Sequence, residues 1–237
     1  MKTIQRVVVL GVLATFAPAL IPVRAADRDG VAVAIVYDTS GSMKESVRDG
    51  SGGRSPKYVI ANRALENIAR RLQAFATNNT SGSRDIQAGL FVFEGNGSKQ
   101  AVKFGPFDAA AFQNWAQQFS QPEGGTPLGA ALNAAGRTVL ASGLTRKHVL
   151  LITDGNNTLG PDPAEAMAKL KQQAEAKGTV LSVHFVAFDV DAKVFDGVKR
   201  LGATVVGASN ESQLNTQLEF ILENQILLEA EAPVKKK

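Results

Sequence analysis

Asp38, Ser40 and Ser42 put a carboxylate and two hydroxyls at alternate positions directly after the apolar run Val31–Tyr37. A turn leaving a strand needs one such residue, not three. Two further polar groups stand in comparable settings: Asp154-Gly155 follows "VLLIT", and Thr126 in "EGGTPLG" precedes an alanine-rich stretch. In open α/β sheets, sites gather outside the carboxyl ends of the strands, so these clusters are expected at one edge. The donors are carboxylates and hydroxyls, with no imidazole or thiolate. All-oxygen ligation suits a hard cation, Mg²⁺ first with Mn²⁺ or Ca²⁺ as substitutes, and not zinc. Mg²⁺ keeps several waters and uses few carboxylates, which leaves room for one ligand from outside. Alternation in a strand-like segment points Ser40 and Ser42 the same way, with Gly41 permitting a tight backbone between them. Asp-x-Ser-x-Ser alone is a weak signal, because an Asx or Ser turn uses the same residues. The coincidence of three clusters carries the reading.

Other polar residues have ordinary explanations. Glu123, three residues before Thr126, and Asn156, after Asp154, are weak candidates for a partner-binding rim. As a loop acid and a turn asparagine they need no special role. His148 reads as an edge histidine at the start of a strand, and His184 in "SVHFVAF" as a packed one. Met43 is expected beneath the metal loop. No Gly-x-x-x-x-Gly-Lys-Ser/Thr occurs, so nucleoside triphosphate hydrolysis is not supported.

These groups must be positioned by strands and helices. Val31–Tyr37, Lys147–Thr153 and Val180–Phe188 read as strands buried on both faces. Asp49–Ser55 reads as a loop, with Pro56 opening a helix whose apolar positions run from Tyr58 to Phe75. Thr77–Arg84 is a polar loop. Ile86–Phe93 and Gln100–Phe104 form a hairpin around Asn-Gly. Helices follow over Asp108–Phe119 (capped by Asp108), Pro127–Leu140, Pro163–Lys177 and Asp191–Leu201. A short strand spans Thr204–Val206, and an amphipathic helix spans Glu211–Leu228. Strands alternating with helices imply an α/β fold. The expectation is a doubly wound, mostly parallel sheet with one antiparallel edge strand and helices on both faces.

Residues 1–25 read as a cleavable signal peptide: Lys2 and Arg6, an apolar run over Val7–Leu20, and small residues before a cut after Ala25. The apolar run is short for a spanning helix, so no membrane span is expected in the mature chain. This implies a secreted or periplasmic protein, with one domain over 26–229 and a basic tail over 230–237. Of the 26 bases in the 237-residue chain, Lys2, Arg6 and Arg24 lie in the leader, leaving 23 against 22 acids. That balance gives no basis for nucleic-acid binding. The absence of cysteine excludes thiol catalysis, disulfides and thiolate metal sites.

The sequence resembles a von Willebrand factor type A domain over about Gly30–Leu228, through "DTSGSM", "GGTPLGAAL" and "LLITDG". The family's metal-ion-dependent adhesion site is Asp-x-Ser-x-Ser, a distant Thr and a further Asp. These match Asp38, Ser40, Ser42, Thr126 and Asp154. The resemblance implies a Rossmann-like fold and direct metal contact by Ser40, Ser42 and Thr126, with Asp38 and Asp154 acting directly or through water. It implies an open coordination position for a carboxylate from a protein partner. The function expected is metal-dependent binding, not catalysis. A metal-dependent hydrolase, with Glu123 as the base, is the alternative, as is an accessory subunit of a larger metal-dependent assembly.

Overall fold

The apolar run that precedes Asp38 is the centre of β1 (Arg28–Tyr37), and Val31–Tyr37 is wholly buried. The computed structural model describes residues 27–77 and 85–228, so the leader, most of the loop after the first helix and the basic tail lie outside the described residues. A 3₁₀ turn over Gly41–Lys44 follows β1, then a two-stranded antiparallel hairpin, β2 (Ser46–Arg48) and β3 (Arg54–Pro56). Helix α1 (Lys57–Thr77) leads to β4 (Asp85–Glu94) and β5 (Gly97–Pro106). Next come α2 (Ala109–Gln118), α3 (Leu128–Ala141), β6 (Leu144–Thr153) and α4 (Pro163–Ala176). Strand β7 (Ser182–Phe188), a 3₁₀ turn (Ala192–Phe195), α5 (Asp196–Arg200), β8 (Thr204–Ala208) and α6 (Glu211–Ile221) complete the fold. The chain leaves α6 through a π-helical turn, Leu222–Leu227.

Six strands form one sheet in the order β5-β4-β1-β6-β7-β8. Neighbours pair in parallel except β4 and β5, which form the antiparallel edge. This is the doubly wound arrangement expected. Strand order reverses at β1: the chain builds outward through β4 and β5, then crosses to β6. A ligand crevice belongs at such a reversal, and Asp38 and Asp154 leave the two strands that border it.

The two faces of β1 differ in side-chain size. Val31, Val33, Ile35 and Tyr37 pack with residues of α1, α2 and α6. Ala32, Ala34 and Val36 pack with residues of α3, α4 and α5. Small residues also bring α3 close to α4: a Cβ on Gly136 would stand 2.5 Å from Leu170 Cδ1. Burial of β1 on both faces leaves its carboxyl end little freedom, which is what a preformed site needs.

Several local expectations change. The segment after Asp49 is a hairpin, not simply a loop, and Pro56 closes β3 while α1 begins at Lys57. The turn between β4 and β5 is Gly95-Asn96, not Asn-Gly, because Glu94 pairs with Gly97. Gly95 has φ 55, a conformation glycine adopts freely. The last helix turns π-helical over its final six residues. His148 is fully buried within β6, not at an edge, and stacks on His184 with ring centroids 5.6 Å apart.

Candidate metal centre

Asp38 continues the β1–β6 ladder by one bond, its N–H donating to the Ile152 carbonyl at 3.0 Å. This carries the carboxylate to the edge of the sheet while keeping it fully buried. One oxygen accepts the Ser40 N–H at 2.8 Å and the other the Thr153 hydroxyl at 2.6 Å. Burial, and after it the negative charge of Asp154, pushes the Asp38 carboxyl up to about 6. Both bonds favour the ionised form and only partly offset this.

The loop after Asp38 does not follow a strand pleat. Ser40 is extended and the backbone then enters the 3₁₀ turn, which brings the Ser40 and Ser42 hydroxyls to 3.0 Å. Gly41 opens this turn without a left-handed conformation, and in the facing loop Gly124 takes one, at φ 80. Gly41 N–H donates to the Gly124 carbonyl and Glu123 N–H to the Thr39 carbonyl, so two backbone bonds tie the loops together. The Thr39 hydroxyl accepts from the Phe93 N–H and fixes the loop to β4. Met43 is fully buried below, in the core on the α1 side.

Asp154 completes the group. Its Oδ1 accepts the Ser42 hydroxyl at 2.8 Å. Thr126 is held by the turn after Asp154: its N–H donates to the Thr158 hydroxyl at 2.8 Å, and Thr158 N–H donates back to the Thr126 carbonyl. Asn157 caps the adjoining helix by accepting the Gly129 N–H. A Cβ on Gly155 would stand 3.7 Å from the Thr126 hydroxyl and 3.9 Å from that of Ser42, so glycine leaves a small polar cradle open between them. The five residues therefore share one edge of the sheet. Among the described residues no three His, Cys, Asp or Glu side chains gather as a metal cluster. The donor set here is of another kind, two acids with three hydroxyls. Oxygen donors around a cradle that a methyl would fill fit a small, hard cation.

The weak rim candidates divide. Glu123 is exposed and serves through its backbone. Asn156, also exposed, lines a crevice of about 170 Å³ with Asp162, Pro163 and residues of α5.

One residue of the site escaped sequence reasoning. Lys57, the first residue of α1, is buried, and its ammonium lies 3.0 Å from Asp154 Oδ2, 2.9 Å from Glu45 Oε2 and 3.1 Å from Asp189 Oδ2. Burial pulls its affinity for a proton down, but the hydrogen bonds to Glu45 and Asp154 outweigh this and hold the ammonium above its ordinary value. A base in a helix's first turn sits at the wrong end of the helix dipole, and that was the available signal. Asp189 is the only non-glycine among the described residues with positive φ, at 57°.

The von Willebrand factor type A domain model matches residues 32–215. The chain belongs to the von Willebrand factor type A family. A curated relative, the uncharacterized protein YwmD of Bacillus subtilis (strain 168), is 26% identical over 199 residues, covering 79% of this chain and 80% of that one. Among solved structures, the PilB minor pilin of Streptococcus sanguinis superposes with a TM-score of 0.61 at 18% identity, covering 81% of this chain and 60% of the pilin. This type A domain thus spans under two thirds of the pilin's length. Proximal thread matrix protein 1 of the mussel byssus, with a zinc-occupied MIDAS motif, gives a TM-score of 0.60 at 18% identity, over 84% of this chain and 48% of that one. The zinc is that protein's own occupant. Zinc accepts carboxylate oxygens at about 2.0–2.2 Å.

Proposed function

We propose that this type A domain is a secreted or periplasmic protein-binding module that engages a partner's carboxylate through a divalent cation. Asp38, Ser40, Ser42, Thr126 and Asp154 would hold the ion, with Mg²⁺ the favoured occupant and Mn²⁺, Ca²⁺ or Zn²⁺ as alternatives. The observation that carries this reading is the convergence of Ser40, Ser42 and Asp154 through bonds of 3.0 and 2.8 Å, with Thr126 across the Gly155 cradle. When bound, the cation supplies a coordination position open to an oxygen from outside. The chain's own part is to preorganise the donors. Thr153 and the Ser40 N–H hold Asp38, Ser42 and Lys57 hold Asp154, and Thr158 holds the Thr126 backbone.

A binding role is favoured over hydrolysis by how the acids and bases are committed. Both aspartates are engaged by hydroxyls or an ammonium, and Lys57 stays protonated, so neither is a ready general base. Glu123, the base a hydrolase would need, is an exposed loop residue. Export is supported by the signal-like pattern of residues 1–25. Among the described residues no helix is long and apolar enough to cross a membrane.

The test is calorimetric titration of the protein with Mg²⁺, Mn²⁺ and Zn²⁺, alongside Asp38→Ala. Saturable one-site binding that Asp38→Ala abolishes is expected. Equal affinity in both proteins would remove the site. Partner capture in Mg²⁺ but not EDTA, lost in Asp38→Ala, then tests the binding role.

A further inference from the structure

We infer that Lys57 is a built-in counter-cation of this centre, which orients Asp154 and sets how strongly the site holds a divalent ion. The inference rests on the metal reading above and assigns a role to a residue outside the five-residue motif.

The geometry is specific. An ammonium has three N–H donors, and Lys57 meets three carboxylates at 2.9, 3.0 and 3.1 Å. They come from three segments: Glu45 after the 3₁₀ turn, Asp154 after β6 and Asp189 after β7. Their dependence on the lysine is unequal. The Glu45 side chain is 69% exposed and that of Asp189 39%, so water serves both, whereas the Asp154 side chain is 0% exposed. Asp154 Oδ2 faces the ammonium and Oδ1 the Ser42 hydroxyl. Lys57 and the Ser42 hydroxyl thereby fix the orientation of the Asp154 carboxylate from its two sides.

The charge count gives the consequence. Asp38 and Asp154 are two buried negative charges on one edge, and Lys57 cancels one of them. A divalent ion added to this buried trio leaves it with one formal positive charge, which an incoming carboxylate neutralises; Glu45 and Asp189, whose carboxylates reach water and are screened by it, lie outside that count. Without Lys57 the same ion would balance the two aspartates alone. Lys57 thus loosens the hold on the ion while strengthening the centre's demand for an anionic ligand from outside.

The experiment compares wild type with Lys57→Met, Lys57→Gln and Lys57→Arg in Mn²⁺ calorimetry at pH 7.5, with melting in EDTA and in Mn²⁺. Both neutral variants are expected to bind Mn²⁺ about tenfold more tightly. They should melt lower in EDTA and gain more from Mn²⁺ than wild type does. Lys57→Arg, which keeps the charge, should return the affinity toward wild type. Lys57→Gln keeps a donor for Asp154 and stands in if Lys57→Met does not fold. A merely structural lysine would lower melting and leave affinity unchanged. Unchanged or weaker binding in the neutral variants overturns this inference alone, while a wild type that takes up no metal overturns the underlying reading as well.

Discussion

Replacing Asp38 by Asn isolates the electrostatic cost of the centre. The Asp38 carboxyl is pushed from 3.8 up to about 6, by burial first and by Asp154 second. Native protein therefore binds a proton at Asp38 more tightly than unfolded protein does. The associated stability is fully present below pH ~4 and is lost as pH rises through about 6. A shift of about two units corresponds to about 3 kcal/mol of penalty for carrying the charge at pH 7.5. Asn removes that charge and retains partners: its carbonyl can accept the Ser40 N–H, and its amide can donate to Thr153, whose hydroxyl rotates. An amide fits the place of a protonated carboxyl imperfectly, which offsets about 1 kcal/mol of the gain. The metal-free variant is thus expected to be about 2 kcal/mol more stable than wild type at pH 7.5. For a domain of this size that is a melting point about 4–8 °C higher. The advantage should vanish near pH 4, where wild-type Asp38 is neutral. The assay is urea unfolding in EDTA at both pH values. A less stable variant at pH 7.5, or an advantage of equal size at pH 4, would refute the electrostatic account of this site.

The same shift predicts that Mn²⁺ binding weakens below pH 6, by up to about tenfold per unit, with release of about one proton. Calorimetry in buffers of different ionisation enthalpy measures that proton, and pH-independent binding between 5 and 7 would contradict it. Gly129→Ala is expected to cost about 3 kcal/mol, because its Cβ would stand 2.1 Å from the Pro161 carbonyl oxygen, a backbone atom with little room to move. Gly136→Ala should cost less, since it meets the flexible end of Leu170. Urea midpoints rank the two, and an unperturbed Gly129→Ala would show that this loop yields.

The parts of the fold that sequence reasoning recovered are those that a repeating pattern specifies. A run of apolar residues marks β1, helical spacing marks α1, and a side-chain cap marks α2, where Asp108 accepts from Ala111 N–H; the cap of α4, Asp162 accepting from Ala164 N–H, went unread. That Asp38, Ser40, Ser42 and Asp154 lie together was legible for a similar reason, since strand ends of a doubly wound sheet meet at one edge, and Thr126 joins them from the loop before α3. The β2–β3 hairpin was not, because three-residue strands are too short to show alternation. Its loop is organised by one side chain instead, with Asp49 accepting from Ser51, Gly53 and Ser55. Lys57 was missed because its meaning is tertiary: Asp154 lies 97 residues away in the chain. Gly41 opens the tight turn between the two serines, while the positive φ belongs to Gly124 in the facing loop, which no pattern in the sequence marked.

Asp38 and the Thr153 that binds it stand on adjacent strands but are 115 residues apart in the chain. Closing a loop of that length costs about 4 kcal/mol in entropy. The candidate ligands recover little of it, because the hydrogen bonds they make are set against two like charges brought together. The cost is met by the pairing of β1 with β6 and by the apolar layers on either side. The order of dependence is therefore the reverse of that in a zinc finger, where the ion organises the chain. Here the chain folds against the preference of its two acids, and a cation held between them would relieve a tension already built in.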